Sequence, residues 1–179
     1  MTTTPTQLLQ FWREAGPRRW FARDEAFDAG FRDRFLATHE AAAGGALAHW
    51  ASTAEGALGL VLLLDQFPRN SFRDTARMYA TDAQARAVAD AAISAGFDRQ
   101  VEAGLRRFFY LPFMHSEELA DHDRSVALNE PLGGESLRYA LHHREIVRRF
   151  GRFPHRNAVL GRPSSADEER FLAEGGFGG

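Results

Sequence analysis

The chain has 179 residues, of which 44% are hydrophobic and fifteen are Phe, with a formal net charge of −2. That length supports a full core without staples, and that composition excludes a disordered chain. There is no Cys and no Lys, and all 22 basic residues are Arg. Disulfides, a thiolate nucleophile, Cys-ligated metal clusters, Schiff-base chemistry and a P-loop lysine are therefore excluded.

The apolar runs are too short to span a bilayer. Met1-Thr2-Thr3-Thr4-Pro5 lacks the basic start and apolar core of a signal peptide, so a cytoplasmic location is expected. The charge balance gives no pull toward nucleic acid.

Thr4-Pro5 opens a helix that Gly16-Pro17 ends. Asp24 caps the next, where Phe27, Phe31 and Phe35 recur on one face until Gly44-Gly45. A central helix runs from about Ala54 to Phe67, apolar nearly all round and hence buried. Pro68 to Thr75 reads as a loop. Thr81 caps an Ala-rich helix that Gly96 stops, and Asp98 caps another ending at Tyr110. Ser116 caps a helix closed by Pro131 and Gly133-Gly134. A further helix runs from about Glu135 to Phe150 and stops at Gly151. Ser164 or Ser165 opens the last helix, and residues 174–179 form a Gly-rich tail. No segment alternates with period two. The pattern predicts one all-α domain over 1–179, with eight or so helices and short turns that favour antiparallel neighbours.

The chemistry-bearing residues gather at two similar stretches, Leu64-Asp65-Gln66-Phe67-Pro68-Arg69-Asn70 and Phe150-Gly151-Arg152-Phe153-Pro154-His155-Arg156-Asn157. Asp65 shares a helical face with Leu58, Val61 and Leu62, so it points inward and needs a partner; Arg69 is the near candidate, Arg152 or Arg156 the distant ones. It reads as a structural ion pair or as a general base. On the helix to Phe150, His143 falls on the apolar face and His142 on the polar one. His143 reads either as a core histidine or as an acid–base group. His115-Ser116-Glu117 sits at a helix start, where capping explains Ser and Glu but not His115. His115, Glu117, His143 and His155 are metal-ligand types. No His pair has metal-site spacing on one helix, so neither metal nor cofactor is expected. Between Arg138 and Arg162 there are seven Arg and one acid, Glu145. Arg captures carboxylate or phosphate bidentately, but these arginines equally suit neutralising internal acids.

Taken together, Phe11-Trp12, Arg19-Trp20-Phe21 with Phe27-Asp28, Leu64 to Asn70, Tyr110-Leu111-Pro112-Phe113-Met114-His115-Ser116-Glu117, Arg149 to Asn157 and Leu160-Gly161-Arg162 resemble one family. It is the bacterial domain-of-unknown-function family nine hundred and twenty-four. The resemblance covers nearly the whole chain and implies a compact, tetratricopeptide-like bundle or superhelix of helical hairpins. It implies no activity.

The residues themselves predict a ligand site for a small anionic or polar molecule, or an acidic peptide. Asp65, Arg69, Asn70, Arg152, His155, Arg156 and Asn157 would bind it. An alternative is a hydrolase-type enzyme with His143, His115 and Glu117 as catalytic groups. A helical interaction module and a wholly internal polar network are the remaining readings.

Overall fold

The computed structural model describes residues 3–178, and no strand forms among them. The chain folds into two compact units, Met1–Arg73 with Arg77–Pro112, and Asp74–Ala76 with Phe113–Gly179. Among the described residues no helix is long and apolar enough to cross a membrane.

In the first unit, α1 (Pro5–Ala15) begins with a capping box. The Thr4 hydroxyl accepts the Gln7 N–H, and the Gln7 side chain accepts the Thr4 N–H. Gly16 ends α1 at φ 70°, and Pro17 opens the single turn α2 (Pro17–Trp20). Asp24 caps α3 (Glu25–Ala43) as expected, accepting the Phe27 N–H at 3.0 Å. Phe27, Phe31 and Phe35 are buried and meet Phe11 at centroid distances of 5.4, 5.4 and 5.2 Å. Trp12 packs in the same layer against Trp20 and Phe108. This aromatic wall is the apolar floor of the unit.

The central helix departs from expectation. It runs as α4 (Ala54–Val61), then a π-helical turn over Leu62–Gln66, then α5 (Phe67–Ser71), with residues 56–68 all buried. Close packing starts at Gly56, where a side chain would run into the Trp50 carbonyl. The helix therefore passes through Pro68 instead of stopping before it. Phe67 donates its N–H to the Leu62 carbonyl, five residues back, which leaves the Leu63 carbonyl without that donor. The Leu64 carbonyl would take the N–H of residue 68 in an α-helix, and Pro68 has none.

Side chains supply what the backbone cannot. His39 Nδ1 bonds the Leu63 carbonyl at 2.8 Å, the Thr81 hydroxyl donates to the Leu64 carbonyl, and Arg69 Nη1 donates to the Asp65 carbonyl at 2.9 Å. Thr81 is thus not the side-chain cap expected for α6 (Asp82–Ser94), because its hydroxyl is spent on Leu64.

The helix expected from Asp98 to Tyr110 is broken into short turns, with α7 only Ala103–Arg106 and α8 Leu111–Met114. Asp98 does not cap it. Its carboxylate is buried and accepts the Tyr110 hydroxyl at 2.7 Å. Burial, with that hydrogen bond, pushes the Tyr110 phenol upward.

The second unit is built on the hairpin of α9 (Leu119–Asn129) and α10 (Gly134–Phe150), joined by a tight turn. Ser116 accepts the Glu118 N–H, so its hydroxyl closes a turn before α9. Gly151 ends α10 in the left-handed region at φ 69°, as a glycine there can. Ser165 and Glu168 form the capping box of α11 (Ala166–Ala173). Within the Gly-rich tail expected over 174–179, Gly176 and Phe177 are held: the Gly176 N–H bonds the Phe171 carbonyl, and the Phe177 ring lies 4.5 Å from that of His143.

If Thr81 stands in for the amide that Pro68 lacks, Thr81→Val should cost about 1–3 kcal/mol by urea unfolding. The cost should shrink in a Pro68→Ala background, where residue 68 regains an N–H. Equal costs in both backgrounds would show that the two are not coupled.

Candidate functional site

The residues expected to act together fall in both units. Asp65, Arg69 and Asn70 belong to the first; His115, Glu117, His143, Arg152, His155, Arg156 and Asn157 belong to the second.

The π turn points Asp65 inward, and its side chain is fully buried. Its Oδ1 lies 3.1 Å from Arg69 Nη1, and its Oδ2 accepts Gln66 Nε2 at 2.6 Å. Arg69 also grips Asp82 through two parallel bonds of 2.8 and 2.9 Å. Burial alone would lower the Arg69 pKa, but the charges of Asp65 and Asp82 outweigh it and raise it. Asn70 donates to Asp28 Oδ1 at 2.7 Å, and Arg73 Nε donates to Asp28 Oδ2 at 2.7 Å. Asp28 stands out in the sequence only as part of the Phe27-Asp28 pair, with no partner assigned to it, and nothing marks Asp82 beyond its helix-start position.

In the second unit Glu117 acts as a clamp. It accepts the Phe153 N–H at 2.8 Å and a bidentate Arg162 guanidinium at 2.7 and 3.0 Å. Burial by itself pushes this carboxyl up; Arg162 and the Phe153 amide more than offset that and hold it low. Asn157 links the same guanidinium to the Ser164 hydroxyl. Arg156, only 7% exposed, donates to the His115 carbonyl at 2.9 Å and lies 4.5 Å over the Phe153 ring. Arg152 holds Glu168 through bonds of 2.7 and 2.8 Å, and this contact brings Glu168 down to about 2.

The histidines gather around two rings. His143, His122 and His155 meet Phe153, while His143, His142 and His155 meet Phe177. His143 is the inward one, as the helical wheel requires. Its Nδ1 bonds the Tyr139 carbonyl at 2.8 Å, and burial pushes its pKa down to about 3. At neutral pH its imidazole is uncharged. Burial also lowers His122, whose Nε2 bonds the Ser116 carbonyl at 2.8 Å. Among the described residues no group of three or more His, Asp or Glu is placed to hold a metal ion.

One concave feature of the second unit carries an uncommitted charge. A cleft of about 440 Å³ is lined by Arg149, Phe150, Arg152, Ser165, Asp167 and Glu168. It sits where α10 ends and α11 begins. Arg149 is exposed, lies 4.6 Å over the Phe150 ring, and among the described residues makes no hydrogen bond or ion pair. Glu145, one turn earlier, is taken by Arg148 at 2.8 and 2.7 Å. Arg152 keeps Nη1 without a protein acceptor among the described residues. Sequence reasoning named Arg152 for ligand binding and passed over Arg149. The arginine-rich stretch was visible; which guanidiniums the acids claim was not.

The class is that of an all-α protein whose buried carboxylates are held by arginines. The model for the family described as "Bacterial protein of unknown function (DUF924)" matches residues 8–176, and the chain belongs to that family. A solved structure, that of the protein of unknown function ATU0120 from Agrobacterium tumefaciens, is 53% identical. It has a TM-score of 0.94, with 96% of this chain and 97% of that chain covered. No curated protein matches the chain.

Replacing Arg69 by Met should strand the buried Asp65 and cost about 3–5 kcal/mol in chemical unfolding. A cost under about 1 kcal/mol would remove Arg69 as its counter-charge. Stability should also depend on pH through His143. Its folded pKa lies below the ordinary value of about 6.5, so the unfolded chain binds more protons between the two. Stability is then complete above about pH 6.5 and falls as pH drops toward 3, by at most about 1.4 kcal/mol per pH unit from this group. Urea midpoints for wild type and His143→Leu across that range should show a flatter profile in the variant.

Proposed function

We propose that this protein binds a small molecule carrying an anionic group, and that it does so in the cleft between the end of α10 and the start of α11. The observation that carries the reading is Arg149: an exposed guanidinium in the cleft lining that makes no ion pair among the described residues. Stacking on Phe150 limits its freedom, so less entropy is lost when it takes a ligand. Arg152 adds the donors that Glu168 leaves over. The cleft volume of about 440 Å³ falls within the usual small-molecule range of roughly 300–1,000 Å³.

The candidates Asp65, Arg69, Asn70, Glu117, Asn157 and Arg156 serve this reading as scaffold, since each already has an internal partner. The same reading takes the helices as tetratricopeptide-like hairpins, which the α9–α10 pair supports, and the protein as cytoplasmic.

Isothermal titration of the full chain with acetate, inorganic phosphate and larger carboxylates tests it. At least one should bind, and Arg149→Ala should weaken it about tenfold, the worth of one charge-assisted contact. Arg138→Ala, which removes an arginine paired to Glu135 at the other end of α10, should leave binding unchanged. Failure of every anion to bind, or equal loss in both variants, would overturn the proposal.

A further inference from the structure

The anion reading uses only the arginines of the cleft. Its lining also includes Asp167, in the first turn of α11. Four charges surround the space: Arg149, Arg152, Asp167 and Glu168. Arg152 and Glu168 satisfy one another through two bonds of 2.7 and 2.8 Å and cancel. Glu168 is further tied to the Ser165 N–H at 2.8 Å, so it is spent on the cap. What remains is one positive group and one negative group on different elements.

Asp167 has a protein partner, Arg170, but a weak one. The contact is a single approach of 3.3 Å between side chains that are 70% and 65% exposed. Pairs of that kind hold little and exchange readily with solvent or ligand. Arg149 has none.

A ligand bearing only an anion gains from Arg149 and meets Asp167 at a loss. A ligand bearing only a cation meets the reverse. A molecule with both charges gains from each residue. We infer that the ligand of this cleft is a small zwitterion of the amino-acid type, its carboxylate against Arg149 and its ammonium against Asp167. This rests on the cleft being the binding site, as proposed above, and adds the class of molecule it selects.

The two claims separate in one titration series. Leucine, β-alanine and γ-aminobutyrate would be compared with acetate, N-acetyl-leucine, which keeps only the anion, and leucinamide, which keeps only the cation. At least one zwitterion should bind about tenfold tighter than acetate, N-acetyl-leucine and leucinamide. Asp167→Asn should then act with opposite signs, weakening that zwitterion while leaving acetate and N-acetyl-leucine unchanged or tighter. Arg149→Ala should weaken both kinds. A misfolded variant cannot give that sign reversal. If acetate or N-acetyl-leucine binds as well as every zwitterion, and Asp167→Asn affects none of them, the zwitterion inference falls and the anion reading stands. If neither anions nor zwitterions bind, both fall.

Discussion

Pro68 has no amide hydrogen to give, and much of the polar interior of the first unit is arranged around that lack. The helix carrying Pro68 is buried on every side, so water cannot satisfy the carbonyls it leaves open. A π turn shifts one backbone bond, and His39, Thr81 and Arg69 then reach the carbonyls of Leu63, Leu64 and Asp65 in turn. Those donors come from α3, from the residue before α6 and from the helix itself. Backbone satisfaction thus ties three stretches of chain together. His39 can give its Nδ1 proton and remain uncharged, in keeping with a pKa lowered by burial. Arg69 cannot shed its charge, so Asp65 and Asp82 must be present beside it.

The second unit solves a related problem with carboxylates as the hubs. Glu117 and Glu168 each collect a guanidinium by two bonds and a backbone N–H by one. Such pairs do not create much net stability over an apolar core, but they leave one arrangement satisfied and penalise others. Together with Glu135, Asp123 and Glu145, which take Arg138, Arg144 and Arg148, they claim most of the arginines that make the stretch from Arg138 to Arg162 look like a binding surface. Capacity to bind an anion therefore depends on which guanidinium remains, not on how many there are.

The all-α class, most helix starts and the inward turn of Asp65 and His143 were legible because each follows from local signals. Capping residues announce themselves within four positions, and a helical wheel needs no partner. The run of Phe27, Phe31 and Phe35 placed the apolar face of α3 on the same ground. What failed was non-local. Pro68 reads as a stop unless one knows that Thr81 and His39 lie within reach of the exposed carbonyls. Asp98 reads as a cap unless Tyr110 is seen to claim it. Phe177 looked like part of a glycine tail because its contacts, His142, His143 and His155, are distant in sequence. The same holds for the site. Arginine supply was visible, whereas the allotment of Arg152 to Glu168 and Arg162 to Glu117 is a product of folding.

The π turn at Leu62–Gln66 has a consequence for how this helix can change in length. A π turn holds more residues than the α turn it replaces, so the segment behaves as an α-helix with a residue inserted. Losing one position there would let the α pattern close. The residues from Phe67 to Ser71 would keep their facing, because the lower twist of the π turn already absorbs the extra position. A deletion in α4 has no such slack. It would turn everything beyond it by about 100°, the step of one residue at 3.6 per turn, and take Arg69 from Asp82 and Asn70 from Asp28 although neither residue had been altered. Leu62–Gln66 is thus the one stretch between the cap at Thr53 and the partners beyond Pro68 whose count can fall by a residue.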